Sequence, residues 1–341
     1  MTGMTSLHGR GLAIPAVDYH TAGEPFRIVT GGVEPLEGTT ILDKRRFARE
    51  RLDHVRQLLV YEPRGHADMY GGFVVEPNDE GAELGVVFFH NAGYSTACGH
   101  GTIALVTWAL ESGLIAPREP TEVVVDVPSG RLRTVARVED GRVRSVRFRN
   151  VPAFVHSRDL VVDMSAGTVA AAVSYGGAFY ASVRAADVGL AVEPAQLPRL
   201  IELGREIKRA LEAGHEFVHP LEPELRDVYG VIFFEEIEAR PPLRQRNVTI
   251  FADGEVDRSP CGSGTSARLA LLDASGELPR GETLVHRSVV GTEFSASVVG
   301  ETEVAGHPAV VTEVEGSAHL TGRHEFVIDP EDPLGTGFLL R

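Results

Sequence analysis

The chain has 341 residues, 43% of them hydrophobic and 24% charged, and carries a net charge of −15. That length suggests two domains and a core large enough to stand without metals or disulfide staples. The acidic balance without a long basic run argues against nucleic acid as a partner, no stretch of about 18 apolar residues is present to span a membrane, and two cysteines make no disulfide framework.

In chain order, short runs rich in β-branched and aromatic residues predict strands at 14–19, 26–30, 122–127, 143–148, 160–164, 168–175, 179–183, 231–234, 247–251, 309–314 and 324–328. Apolar stripes predict helices through Phe47, Leu52, Val55, Leu58 and Leu59, and through Leu197, Leu200, Ile201, Ile207 and Leu211. Two more helices begin at the cysteines. Many strands and few helices read as an α+β fold. The N-terminus shows no charged-then-apolar signal pattern, so the cytoplasm is the expected location.

An internal repeat organises the chain. Cys98-Gly-His-Gly-Thr-Ile-Ala and Cys261-Gly-Ser-Gly-Thr-Ser-Ala coincide at an offset of 163 residues, and the same offset pairs Ser112-Gly113 with Ser275-Gly276. Duplication implies two pseudo-symmetric domains: 1–155, joined by a returning segment at about 330–341, and 156–329. The site is then expected in the cleft between them.

Each repeat sets a cysteine before a glycine-rich helix start, whose free N–H groups and dipole suit a carboxylate. The same field is expected to lower the cysteine pKa. Two such starts facing each other would hold one carboxylate with a sulfur on either side, the arrangement that racemisation at Cα requires. A Cys98–Cys261 disulfide would need the two Cα atoms within about 7 Å and would leave no room for a substrate. Cys98 and His100 offer at most two metal ligands, and Cys261 has no neighbouring histidine. A pyridoxal cofactor needs a lysine; the only two, Lys44 and Lys208, lie in charged settings unlike a cofactor pocket. No cofactor and no metal are expected.

At these motifs the chain resembles the proline racemase family, which shares a fold with diaminopimelate epimerase. The matching segments are Asp18-Tyr-His-Thr-Ala-Gly-Glu-Pro, Glu62-Pro-Arg-Gly-His, Asn91-Ala-Gly-Tyr-Ser-Thr-Ala-Cys98-Gly-His-Gly-Thr, Asn150-Val-Pro-Ala-Phe, Tyr175-Gly-Gly-Ala-Phe, Asp257-Arg-Ser-Pro-Cys261-Gly-Ser-Gly-Thr and Asp332-Pro-Leu-Gly-Thr-Gly-Phe. The resemblance implies two domains, each a strongly curved, mostly antiparallel sheet around a central helix. It implies Cys98 and Cys261 as the acid/base pair, with Gly99, His100, Gly262 and Ser263 on the substrate carboxylate and Asp257 on the ring amine. The partner is then a small cyclic amino acid, and a homodimer is the expected assembly. His20, His66 and Asp68 lie in matching segments without a derivable role. The expected activity is racemisation or 2-epimerisation of proline or hydroxyproline. The alternative is trans-3-hydroxyproline dehydration, whose enzymes usually carry Thr where this chain has Cys261. Ala97 stands where Met is common and Ser263 where Thr is common. A different class, a non-catalytic binder of small carboxylates, is disfavoured by the thiol kept in both repeats.

Overall fold

Strands with one wet face account for much of the chain: Gly130–Glu139 and Glu293–Val304 set buried side chains between exposed ones along much of their length. Others are covered on both sides, and Leu84–His90 is buried at every position. The computed structural model describes residues 13–165, 167–239 and 242–340.

Eighteen strands among the described residues form one large curved sheet, with Val218–His219 and Glu222–Arg226 paired apart from it, and the pairing of the large sheet can be followed as two runs. The first starts with Ala318–Val327 against Ala13–Thr21 and passes through Glu24–Val29, Tyr70–Val75, Leu84–His90, Thr121–Val127 and Gly130–Glu139 to Arg142–Arg149. The second starts with Phe154–Met164 against Gly167–Tyr175 and passes through Phe179–Arg184, Val228–Glu238, Leu243–Phe251, Leu284–Ser288 and Glu293–Val304 to His307–Gly316. Both runs have neighbours in the order antiparallel, antiparallel, parallel, antiparallel, parallel, antiparallel, antiparallel. They join where Arg142–Arg149 pairs with His307–Gly316.

Five α-helices accompany the sheet among the described residues: α1 (Ile41–Arg51), α2 (Asp53–Val60), α3 (Gly99–Glu111), α4 (Leu197–Gly214) and α5 (Gly262–Ser275). The outer helix α4 buries only one stripe, Leu200, Leu203, Gly204, Ile207 and Leu211. In contrast, α3 is buried from Gly99 to Val106 and beyond, and α5 from Gly262 to Leu272. A helix apolar all round needs a core on every side. Its hydroxyls are satisfied internally: Thr102 and Thr107 donate to the Cys98 and Ile103 carbonyls at 2.9 and 2.8 Å. Both helices stop just before glycines of left-handed φ, Gly113 at 77° and Gly276 at 75°, which ends a helix without a Cβ clash.

Three differences from the sequence reading have physical causes. The stripe from Phe47 to Leu59 is broken at Leu52, whose φ of −114° and ψ of 12° separate α1 from α2. Tyr70–Val75 and Leu84–His90 were not anticipated as strands, because burial on both faces erases the alternation that marks a strand. Ala318–Val327, inside the span assigned to the second half, hydrogen-bonds to Ala13–Thr21 of the first. No described helix is long and apolar enough to cross a membrane.

Candidate active site

Cys98 is the N-cap of α3, with extended backbone (φ −156°, ψ 98°) and its Sγ accepting the Gly101 N–H at 3.2 Å. Cys261 precedes α5 in a different state, at φ 62° and ψ 97°. A non-glycine residue is strained there, and hydrogen bonds on both sides hold it. Its N–H donates to Ser259 Oγ at 3.1 Å and its carbonyl accepts the Thr265 N–H at 2.7 Å. Ser259 is itself tied to Asp257, whose Oδ1 accepts both the Ser259 N–H and Oγ–H, at 2.8 and 2.7 Å. The string Asp257-Arg-Ser-Pro-Cys261 is thus one hydrogen-bonded unit that aims the cysteine.

The two helix starts meet backbone to backbone. A Cβ placed on Gly99 would lie 2.6 Å from Gly262 Cα, and one on Gly262 would lie 2.8 Å from Gly99 Cα. Only glycines permit this approach. Around the contact is a narrow cavity of about 10 Å³, lined by Cys98, Gly99, His100, Asp257, Cys261, Gly262 and Ser263 together with Tyr70, Ala97, Tyr180, Tyr229 and Phe251. All seven residues singled out from the sequence therefore face one space. The aromatic wall was not foreseen. Tyr180 bonds to Ser263 Oγ at 2.7 Å and accepts from Cys261 Sγ at 3.8 Å. Tyr70 bonds to Tyr229 at 3.0 Å and donates to Ser95.

Burial governs the electrostatics. It pushes the Cys98 thiol well above the ordinary cysteine range; the Gly101 N–H opposes this, while Asp257, the Cys261 thiol and Glu24 add to it. Burial and then Asp257 raise Cys261 too, against the Gly264 N–H. The expectation that the helix field would lower both thiols is therefore corrected. The amides act in that direction, but loss of water outweighs them. Burial takes His100 down to about 3, so its ring is neutral, with a nitrogen 3.4 Å from Cys98 Sγ. It raises Asp257 to about 6, against the hydrogen bonds from Ser259.

Of the three residues without a derivable role, Asp68 bears on the site indirectly. Its carboxylate meets the Arg258 guanidinium at 2.9 Å, and the Arg258 N–H donates to buried Glu24 at 2.7 Å. This joins the Glu62 and Asp18 segments to the residue following Asp257. His20 lies elsewhere, its ring 5.2 Å from that of His319. His66 is exposed and donates to the Ala67 carbonyl at 2.8 Å.

A sequence model of the family described as proline racemase matches residues 16–339. The chain belongs to the proline racemase family. It is 46% identical over 331 residues to a 3-hydroxyproline 2-epimerase of Burkholderia multivorans, covering 96% of this chain and 98% of the relative. It is equally similar, 46% over 331 residues with the same coverage, to a trans-3-hydroxy-L-proline dehydratase of Burkholderia ambifaria. A crystal structure of a hydroxyproline epimerase from Agrobacterium vitis, with trans-4-hydroxy-L-proline bound, superposes with a TM-score of 0.90 at 33% identity, covering 96% of each chain. One relative named as an epimerase and one named as a dehydratase are thus equally similar to this chain.

Proposed function

We propose that the protein is a cofactor-independent racemase or 2-epimerase of proline or a hydroxyproline, with Cys98 and Cys261 transferring protons on opposite faces of Cα. The observation that carries this reading is a thiol at each of two helix starts that abut at Gly99 and Gly262 and line one cavity. The substrate carboxylate sits against the N–H groups of Gly99, His100, Gly262 and Ser263, where developing enolate charge is stabilised. The ring ammonium faces Asp257. One cysteine, as thiolate, takes the Cα proton. The other, as thiol, donates its proton to the opposite face, so the enzyme ends with the two protonation states exchanged. Both thiols are raised by burial and by Asp257, so the ammonium, by offsetting the Asp257 charge, favours the thiolate as substrate binds.

The proposal includes a division into two similar halves, each a curved sheet around α3 or α5, with the site between them. The matching order of strand pairings supports it. Pairing of Ala318–Val327 with Ala13–Thr21 extends the C-terminal return to the first half from about 330 back to 318.

Dehydration of trans-3-hydroxyproline is the second reading, favoured by the 46% identity to a dehydratase. It needs only one base at Cα. Proline, 4-hydroxyproline and 3-hydroxyproline incubated in D2O, with product configuration determined, decide between the two. Inverted product with deuterium at Cα is expected. Loss of the 3-hydroxyl, with no inversion of the other substrates, would establish the lyase instead. Absence of exchange into all three would leave only a carboxylate binder. Cys98→Ser and Cys261→Ser should each reduce inversion by at least about 10³-fold, the scale of losing an acid/base group, and near-normal turnover in either rules out the two-thiol mechanism.

A further inference from the structure

A second cavity, of about 780 Å³, adjoins the catalytic one. Its walls come from both runs of the sheet, with Arg45, Arg46 and Arg49 of α1 on one side and Lys208 of α4 on the other. Tyr229 lines both cavities. Every other residue around the thiols is buried, so Tyr229 is the point where the catalytic cavity comes nearest to solvent among the described residues. Its hydroxyl is held by Tyr70, which donates to Ser95, and Ser95 again faces the larger cavity.

The cations of this cavity are incompletely matched. Arg45 donates from Nη2 to the Tyr94 carbonyl at 3.0 Å, while its buried Nε has no partner among the described residues. Lys208 Nζ donates to the Ala252 carbonyl at 2.9 Å. Neither is in an ion pair with a described carboxylate, whereas Arg46 is paired with Glu224 and Arg226 with Glu216 and Asp227. Arg45 and Arg49 stand one helical turn apart, where like charges repel, and burial and then Arg49 hold the Arg45 guanidinium below its ordinary value. His90, which also lines the cavity, is taken to about 3 by burial and then by Arg56, Lys208 and Arg45. In a chain of net charge −15, the cavity lining sets five cations, Arg45, Arg46, Arg49, Lys208 and Arg226, against three carboxylates, Glu224, Asp227 and Asp253.

We propose that this cavity is an antechamber that holds the carboxylate of a small cyclic amino acid between Arg45 and Lys208 before the molecule passes Tyr229 to the thiols. The proposal deepens the function proposed above and rests on it for the identity of the ligand. A carboxylate there supplies the charged acceptor that both cations lack and offsets the repulsion between Arg45 and Arg49. It also turns the molecule carboxylate-first on an otherwise acidic protein, raising the rate of productive encounter. Passage requires the Tyr70–Tyr229 hydrogen bond to open.

Lysine scarcity supplies a direct probe. Lys44 is buried on the Glu76 carbonyl, leaving Lys208 as the accessible lysine. In the full chain bearing Cys98→Ser and Cys261→Ser, reductive ¹³C-methylation labels Lys208 for NMR. Sodium acetate, added at constant ionic strength, is expected to move that resonance saturably, and Arg45→Gln to abolish saturation. In the active enzyme, Lys208→Gln, and separately Arg45→Gln, should lower kcat/KM about tenfold, flatten its salt dependence and leave kcat unchanged. A Lys208 resonance indifferent to acetate, or variants that lower kcat with KM intact, overturns the antechamber. Should the wild type turn over no cyclic amino acid, the function proposed above fails while the acetate titration still decides whether the anion site exists.

Discussion

The two cysteines occupy equivalent places in the repeat but unequal backbones. Cys98 is extended, as any residue can be, whereas Cys261 is held at φ 62°. Both are buried, at 5% and 6% exposure, so replacing either by glycine removes a similar side chain. Glycine relieves strain only at 261, and Cys98 also loses the cap to Gly101. Cys98→Gly should therefore cost more stability than Cys261→Gly, by about 1 kcal/mol or more; urea denaturation of both variants checks this, and equal costs would show that the Cys261 backbone stores no strain. Asp257 gives a prediction in pH. Its folded pKa of about 6 lies above the ordinary carboxylate value, so the folded protein retains a proton that the unfolded chain releases. Stability is thus highest below about pH 4 as far as this group is concerned, and falls as pH rises towards 6, by roughly 3 kcal/mol. Glu24, also raised, acts in the same sense. Asp257→Asn should remove its share of that slope. In the proposed reaction the ring ammonium faces the ionised carboxylate, so kcat/KM should climb with a midpoint near pH 6, and the Asn variant should lose that limb.

Between elements, the contact of α3 with α5 places the chemistry. Adding one methyl at Gly99 or Gly262 puts a carbon against the backbone of the opposite helix start, where no side chain can turn aside. Gly99→Ala or Gly262→Ala should destabilise by about 1–3 kcal/mol through overpacking and remove most activity by spreading the thiols. Thermal melts and exchange rates measured together test this, and an active, fully stable Gly262→Ala would show that the contact is not tight. This level also separates what the sequence reveals from what it hides. The helix starts were legible because cysteine, glycines and threonine sit within a few consecutive residues, twice. Asp257 was legible only through the resemblance of the Asp257-Arg-Ser-Pro-Cys261 segment to the proline racemase family. Tyr70, Tyr180, Tyr229 and Phe251 were not, since each reaches the cavity from a different strand, and a lone aromatic in a strand looks like core. The raised thiol pKa values were also hidden, because they depend on how much water the assembled site excludes, and no local motif encodes that.

At the scale of the molecule, the repeat announces duplication but not how the copies are joined. The offset of 163 residues makes Phe154–Met164 and Ala318–Val327 equivalent, and each pairs away from the strand it follows in its own copy: the former against Gly167–Tyr175, the latter against Ala13–Thr21. Phe154–Met164 and Gly167–Tyr175 are consecutive in the chain, but the pairing of Ala318–Val327 with Ala13–Thr21 is long-range, and periodicity reports only local preference. That pairing has a consequence for unfolding. The first run is completed by Ala318–Val327 from the second half, and Arg142–Arg149 is hydrogen-bonded to His307–Gly316 where the runs meet. Neither half keeps its own sheet when the other opens, so the chain should unfold in a single cooperative transition despite its length. Trp108, the only tryptophan, lies in α3, and α3 packs on Ala318–Val327. Its emission reports on the first run directly, while far-UV circular dichroism averages over the whole sheet. The two denaturation curves should superimpose. A chain ended after Ser317 would leave Ala13–Thr21 with an unpaired edge and α3 with one side uncovered, and it should lose both the native Trp108 emission and the cooperative transition. Retention of either by that truncated chain would mean that the first run folds without the strand borrowed from the second.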